Sequence, residues 1–359
     1  MNEKFKELVV INKKLFPKGS RFIGILTVIL AAALLNPVVA QQVTKTGTTA
    51  AKFLNVGIGP RANAMGGAFS SIANDATAMY WNPAGVAAIN EFQTVFTYTK
   101  MFADINVNFI GIVIPAGSIG NIGISVTALN IGEMEVTTEY YPEGTGEKFS
   151  AGSYAFALSY GRFITDDFAV GVNVKYIRES IFNSKADGVG FDIGTIFKTP
   201  FYGIRFASSI SNYGTKMQMN GQDLLIRYDP DPQRNGNNAT IDAYYATDQF
   251  ELPLRLQVGI SRDFQIMDQH RLTVAIDATH PNDNNQSVNV GGELSLFNDL
   301  VSIRGGYKTL FLKDTQEGLT LGAGIKYDGL KFFKIAIDYS YQQLKYLDNM
   351  HSFGVMLSF

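Results

Sequence analysis

From about Glu91 to Phe359 the chain alternates, residue by residue, between apolar or aromatic side chains and small, polar or charged ones. A period of two belongs to the two faces of a β-strand, and a chain that keeps it over several hundred residues has few folds open to it. Phe168, Val170, Val172, Val174 and Tyr176 oppose Ala169, Gly171, Asn173 and Lys175. Leu272, Val274 and Ile276 oppose Arg271, Thr273, Ala275 and Asp277, and Leu319, Leu321, Ala323, Ile325 and Tyr327 oppose Thr320, Gly322, Gly324 and Lys326. About fourteen such segments follow one another, centred near residues 97, 110, 125, 157, 173, 193, 207, 258, 275, 291, 305, 322, 337 and 354. Most have about the length that a tilted membrane-crossing strand needs, and none is apolar enough for a transmembrane helix.

A soluble sandwich also alternates, so three further features decide. The joins after every second segment, near Gly117, Asp166, Pro200, Met267, Asn298 and Gly329, are short, whereas the long joins Gly132–Ser150 and Asn212–Glu251 both fall at the other end. Membrane barrels distribute short turns and long loops in this way. The last segment, His351 to Phe359, alternates to a terminal aromatic residue. Rings such as Tyr98, Tyr160, Phe163, Tyr176, Tyr307, Tyr327 and Tyr339 lie towards segment ends, where amphipathic aromatics suit a membrane–water boundary. The expectation is an all-β, transmembrane antiparallel β-barrel of about 14 strands, surrounded by outer-membrane lipid, in the outer membrane of a diderm bacterium.

A barrel of this strand number is too wide to be filled by its own wall. The inward face carries Lys175, Asp192, Arg205, Arg255, Arg271, Asp277, Glu293, Arg304, Lys308, Lys326 and Asp338. Charges of mixed sign are costly towards lipid and can pair inside, so a lumenal ion-pair network is favoured over a substrate array. The filler is read in Gly57–Ala88, which fits neither strand nor leader and is rich in small residues. Gly66 and Gly67 permit a sharp bend. Asp75 is placed to cap a turn over Ala76–Ala78, and Asn82 followed by Pro83 is a second cap with proline at the first helical position. The stretch holds the only tryptophan, Trp81, and Arg61 is a candidate anchor for an acidic wall residue.

The first forty residues read as a secretory signal, with Lys4, Lys6, Lys13, Lys14, Lys18 and Arg21 before an apolar run from Phe22 to Leu35, and Val38-Val39-Ala40 at the cleavage site. The expected organisation is 1–40 signal peptide, 41–90 N-terminal plug inside the lumen, and 91–359 barrel. The chain has no cysteine, which removes disulfides, thiolate metal sites and a cysteine nucleophile. A formal net charge of -2 speaks against nucleic acid as a partner. No cofactor or metal site is expected. Asp229, Asp231 and Asn237 do not have the spacing of a calcium loop. His270, His280 and His351 fall too far apart for one catalytic group, and no nucleophile motif or phosphate loop occurs, so the chain is not expected to be an enzyme. The long join between Asn212 and Glu251 exceeds mere connection. Its Leu224, Leu225, Ile226, Tyr244 and Tyr245, with Tyr140 and Tyr141 of the other long join, make a candidate partner surface.

The run Gly59, Arg61, Ala62, Met65-Gly66-Gly67-Ala68-Phe69, Asp75 and Trp81-Asn82-Pro83-Ala84-Gly85 resembles the N-terminal signature of the PorV/PorQ family of outer-membrane proteins, itself similar to the FadL-type fatty-acid transporters. The resemblance implies a component of the type IX secretion system. Its extracellular loops would bind the C-terminal domains of secreted cargo and pass cargo on from the secretion translocon. The FadL likeness implies an alternative: uptake of a hydrophobic, fatty-acid-like ligand, with the plug as a gate and a kinked wall strand. For that kink, Gly111 and Pro115 around Ile112, Val113 and Ile114 are the candidate.

Overall fold

The computed structural model describes residues 47–234 and 240–359. The expected signal peptide, 1–40, and Asn237 lie outside the described residues.

Fourteen antiparallel strands close into one ring. They are β1 Gln93–Lys100, β2 Asn106–Pro115, β3 Asn121–Glu135, β4 Lys148–Thr165, β5 Phe168–Ile181, β6 Ser184–Lys198 and β7 Arg205–Gly214. The second half holds β8 Arg255–Met267, β9 His270–Pro281, β10 Ser287–Leu296, β11 Val301–Leu310, β12 Glu317–Tyr327, β13 Lys334–Leu344 and β14 Met350–Ser358. Each strand pairs with its sequence neighbours, and β1 closes on β14 from Gln93↔Ser358 to Lys100↔His351. Closure leaves no edge without hydrogen-bond partners, the condition that hydrocarbon imposes on a sheet. Among the described residues no helix is long and apolar enough to cross a membrane.

The two faces of the wall separate as the alternation requires. Outward stand Phe96, Ile110, Ile112, Ile124, Leu158, Val174, Ile193, Ile260, Ile276, Ile303, Ile325, Ile337 and Phe353, all exposed. Inward stand Thr97, Thr99, Ser125, Ser159, Asn173, Ser209, Gln257, Thr273, Ser340 and Ser352, all buried. A soluble sheet would bury the first set; only a barrel surrounded by an apolar medium is satisfied by this arrangement.

The wall is uneven in height. Strands β3 to β6 run 15, 18, 14 and 15 residues, against 8, 10 and 9 for β1, β2 and β14. On β5 the outward Val172 and Val174 give way to Tyr176 and Arg178 towards the long-loop end. There Tyr176 and Arg178 both donate to Asp187 of β6, at 2.6 and 2.5 Å. This polar group interrupts the apolar face below the tip of β5 and β6, where Ile181 and Phe182 are exposed.

The β2 register is continuous with β1 through Gly111 as far as Val113 and with β3 through Gly111 to Pro115. Ile112 and Ile114 face out while Val113 faces in and is buried, so this run is ordinary alternation and carries no kink. The wall departs from regularity in several other strand pairs, among them β6 and β7, where the register shifts at Phe191/Ile193 and Asn212 takes φ 62. The Asp192 carboxylate accepts the Asn212 backbone N–H at 2.7 Å and pairs with Lys175 at 2.7 Å, which fastens the bulge.

Candidate functional site

The N-terminal segment is built of short turns: a 3-10 turn Lys52–Asn55, a helix Pro60–Ala64, a helix Ala78–Trp81 and a 3-10 run Pro83–Ala88. Residues of such small size cannot bury much surface alone, so the segment takes its core from the wall. Ile58, Met65, Phe69, Met79, Trp81 and Val86 form one apolar cluster with Val95, Val107, Phe109 and Val113 of β1 and β2. Pro60–Ala64 packs on β12 and β13, and Pro83–Ala88 packs on β4, β5 and β6, across the ring. Thr49 bridges Glu251 and Lys52 pairs with Asp283, both at the long-loop end, whereas the carbonyl oxygens of Val86 and Ile89 accept from Asn121 beside the short turns.

Close approach depends on glycines in the inward face. A Cβ on Gly161 would lie 2.7 Å from the Ala87 nitrogen, and one on Gly354 would lie 2.8 Å from Pro60 Cδ. On Gly171 it would overlap the Pro83 carbonyl, and on Gly291 and Gly306 it would strike the backbone of Met65 and Gly66. These wall glycines were visible in the sequence only as small residues on alternate positions. Gly66 in turn (φ +67) rests with its α-carbon against Val290 and Tyr307 backbone, where any side chain would collide. Gly67 (φ +75) completes the bend against the Trp81 ring. Gly59 (φ +87) enters the first helix, and Gly85 passes against the Ala73 carbonyl.

The polar residues of the signature serve each other. Trp81 Nε1 donates to the Ile58 carbonyl at 2.8 Å. Asn82 Oδ1 accepts the Ala84 N–H at 3.1 Å with Pro83 at the first position, while its Nδ2 donates to the Ser70 and Thr195 carbonyls. Asp75 caps the turn over Ala76–Ala78 as expected: its Oδ1 accepts the Thr77 N–H at 2.9 Å and its carbonyl the Ala78 N–H at 2.8 Å, while its other carboxylate oxygen is held by Arg61 and the helix Ala78–Trp81 follows.

Arg61 is the ionic centre. It reaches Glu293 of β10 through two bonds, 2.8 and 3.0 Å, and Asp75 at 3.0 Å, and lies over the Phe69 ring at 5.3 Å. Glu293 also takes Arg304 Nε at 2.7 Å, and Arg304 continues to Asp338. Arg271 stands 3.9 Å from Glu293 and 2.9 Å from Asp299. Elsewhere on the inward face Lys175 pairs with Asp192, Arg205 with Asp263 at 2.8 and 2.9 Å, Lys308 with Glu317, and Lys326 with Asp328 at 3.7 Å. Asp277 has no cation among the described residues; it accepts the backbone N–H groups of Phe69 and Ser70 at 3.1 and 2.9 Å, and so acts as a staple for the bend. Arg255 has no carboxylate at ion-pair distance among the described residues, and lies over Tyr80 and Trp81 at 5.4 and 5.8 Å.

Two cavities flank the segment. One of about 320 Å³, towards the short turns, is lined by Arg61, Asp75, Glu293, Arg304, Lys326 and Asp338 among others. The other, of about 340 Å³, towards the long loops, is lined by Asn63, Trp81, Arg255, Gln257, Asp283 and Lys308 among others. A second apolar cluster at the long-loop end is occupied by the segment's Phe53 and Leu54 against Ile177, Met217 and Leu252.

The long join carries a hairpin, Leu225–Tyr228 paired with Ile241–Tyr244, closed at its base by Tyr245 N–H on the Leu224 carbonyl. Leu225, Tyr244 and Tyr245 are exposed, as are Tyr140 and Tyr141 of the β3–β4 join; Leu224 and Ile226 are half-buried. Asp223 ties the hairpin to the β5–β6 turn through Asn183 and Ser184. Desolvation pushes its carboxyl up, and the hydrogen bonds from Asn183 and Ser184 outweigh it and hold the group below the usual range. The three histidines do not meet. His270 accepts from the Phe297 N–H, His351 stands among Tyr339 and Tyr341, and His280 lies at the far end of β9 from His270.

A family model described as the type IX secretion system protein PorV matches residues 39–280. No curated protein matches. Among solved structures, the toluene transporter TbuX of Ralstonia pickettii is similar over 84% of this chain and 97% of its own, at 14% identity and TM-score 0.52. The toluene transporter TodX of Pseudomonas putida gives the same coverage, identity and score. The monoaromatic hydrocarbon channel CymD has TM-score 0.53 at 12% identity, over 84% of this chain and 97% of its own. At these identities the likeness is one of fold.

Proposed function

The chain belongs to the PorV family of type IX secretion system proteins, and from that premise we propose that it is an outer-membrane barrel whose long-loop face binds the C-terminal domains of secreted cargo. In this reading residues 1–40 are removed as a signal peptide, residues 41–90 form a plug that stays in place, and 91–359 form the barrel. The observation that carries it is the fastening of the plug. Arg61 is shared among Asp75 and Glu293, Asp277 staples the bend, and wall glycines receive the backbone at Met65–Gly66 and Pro83. Replacing such contacts one by one by water is costly, since buried ion pairs and buried carboxylates leave uncompensated charge when separated. A fixed plug moves function from the lumen to the rim. There the Leu225–Tyr244 hairpin and Tyr140-Tyr141 offer exposed apolar and aromatic surface.

The second reading, uptake of a fatty-acid-like molecule past a mobile plug, draws on the fold shared with hydrocarbon transporters. One observation weighs against it: Phe53 and Leu54 of the chain itself occupy the apolar cluster near the mouth.

Deleting the hairpin between Leu224 and Tyr245, with a short glycine linker in its place, is expected to leave a heat-modifiable barrel that no longer co-purifies with cargo domains or a translocon. Mass spectrometry of proteins and extractable lipids from gently purified wild type and variant reads both. Undiminished cargo, or a stoichiometric hydrophobic molecule with no protein partner, refutes the secretion reading.

A further inference from the structure

Outward-facing charges are rare on the strands of this wall. At the long-loop end Arg178 stands outward on β5 and is held by Asp187 of β6. Towards the short turns Arg162 of β4 and Arg262 of β8 stand outward, and among the described residues no strand turns an Asp or Glu outward beside them. Neither arginine forms an ion pair among the described residues; Asp263, next to Arg262 in the chain, faces inward onto Arg205. A cation turned towards lipid is costly in a depth-dependent way, so a charge in this place calls for a partner.

The two arginines share a level and differ in setting. The β7–β8 ladder ends at Arg205↔Ser261 and the β3–β4 ladder at Asn121↔Gly161, so each arginine is the first residue past the end of a neighbouring strand. Arg262 lies over the Tyr202 ring of the β6–β7 turn at 5.1 Å and over the Phe264 ring of its own strand at 4.5 Å. Arg162 lies over no ring among the described residues. Phe201, Tyr202, Phe264 and Ile266 are all exposed around Arg262. The two rings fix the direction of the guanidinium and do not neutralise it. Its Nε is enclosed and unpartnered, so no ligand reaches it there. The terminal nitrogens are not enclosed in this way and make no hydrogen bond among the described residues, so the open end of the fork is what a ligand meets.

The place limits the ligand. Above Arg262 the wall presents Ile260, with Phe206 beside it on β7, and Val274 of β9 stands opposite Arg262; all three are exposed and apolar, a surface for acyl chains. The anion that accompanies acyl chains at a membrane boundary is the headgroup phosphate. Its free oxygens match the guanidinium fork through two parallel bonds, and the arginine stem is long enough to run along the apolar wall with its head among the phosphates. We propose that Arg262, clamped by Tyr202 and Phe264, binds the phosphodiester of a phospholipid in the leaflet that meets the short turns, with the lipid chains on Ile260, Phe206 and Val274. The site rests on the barrel standing in a membrane and is independent of cargo binding at the opposite rim.

The barrel is first reconstituted into vesicles and washed with alkaline carbonate; release into the wash overturns the membrane reading and this site with it. The barrel in a maltoside detergent is then titrated with dioleoylphosphatidylglycerol and with dioleoylglycerol, which has the same chains and no phosphate, and bound lipid is followed by native mass spectrometry. The proposal expects one phosphatidylglycerol to be held most tightly, and affinity about tenfold or more weaker for dioleoylglycerol than for phosphatidylglycerol and for Arg262→Gln than for wild type. Arg162→Gln removes a charge at the same level that no ring clamps, and should stay within about threefold of wild type. The proposal is overturned if the two lipids bind alike, if Arg262→Gln keeps wild-type affinity, or if Arg162→Gln weakens binding as much. Displacement of the lipid by an equal concentration of inorganic phosphate overturns it too, since the site is then one for free phosphate. The two lipids are compared on the unaltered chain, so that result stands even where a variant fails to fold.

Discussion

The two cavities on either side of the N-terminal segment are nearly equal in volume and unlike in electrostatics. Towards the short turns, Arg61, Arg304, Glu293, Asp338 and Asp75 form a closed set in which each charge has its opposite. Towards the long loops, Arg255 stands without a carboxylate and several amide oxygens without donors among the described residues. Both sets line cavities of the same lumen and are built on neighbouring strands, so chain chemistry alone does not account for the difference. A satisfied network holds structure together, and a charge without its opposite adds less to it.

The largest effect expected from breaking this contrast is at Glu293. Glu293→Ala leaves Arg61 and Arg304 short of their shared carboxylate and should cost about 3–5 kcal/mol. Arg255→Gln removes a charge that has no partner and should cost less than about 2 kcal/mol, the worth of its ring contacts. Urea titration followed by heat-modifiable migration compares the two; equal losses would erase the distinction between the ends. Next comes Gly171→Val, which drives a side chain into the Pro83 carbonyl and should destabilise by about 1–3 kcal/mol, the range for overpacking. The same method measures it. If the variant is neutral, the wall does not grip the segment there. The smallest effect is at the rim. The carboxyl of Asp223 is held below its ordinary value near 4, so its contribution to hairpin docking is fully present above that value and is lost as pH falls through the depressed one. Hydrogen exchange of the Asn183 amide, which Asp223 accepts at 2.9 Å, should stay slow at neutral pH and lose its protection only in strong acid. Loss near pH 6 would point to a different group.

Much of the fold was legible because strand periodicity is local. Fourteen segments, their outward faces and the end to which each join belongs follow from residues two apart and from join lengths, and the ring has the same order and the same distribution of short and long joins. The charges at Lys175, Asp192, Arg205, Glu293 and Arg304 share the inward face for the same reason. Their partners were not legible. That Arg61 meets Glu293, that Arg205 meets Asp263 and that Arg255 meets no carboxylate all depend on the stagger of the ring and the path of the segment through it, which no local pattern encodes. The kink looked for at Gly111 and Pro115 mistook a contact glycine for a conformational one. Gly111 faces Met79 and leaves room for it, while the register shifts that do occur, the one at Asp192 and Asn212 among them, lie in other strand pairs and are announced by neither strand.

The uneven wall has a consequence for encounter. A barrel held in a membrane, as proposed, meets its partners by sliding and turning in two dimensions, with only rotation about the normal left to search. A ring of even height would look alike from every side. Here β3 to β6 outreach β1, β2 and β14, and the outward apolar face is interrupted at the Tyr176–Arg178–Asp187 group. A neighbour arriving from that flank meets longer paired strands carrying Tyr176, Arg178 and Asp187, with Ile181 and Phe182 exposed at their tip, and from the opposite flank it meets shorter strands. The height difference thus supplies a heading, and it reduces the rotational freedom that docking must still remove.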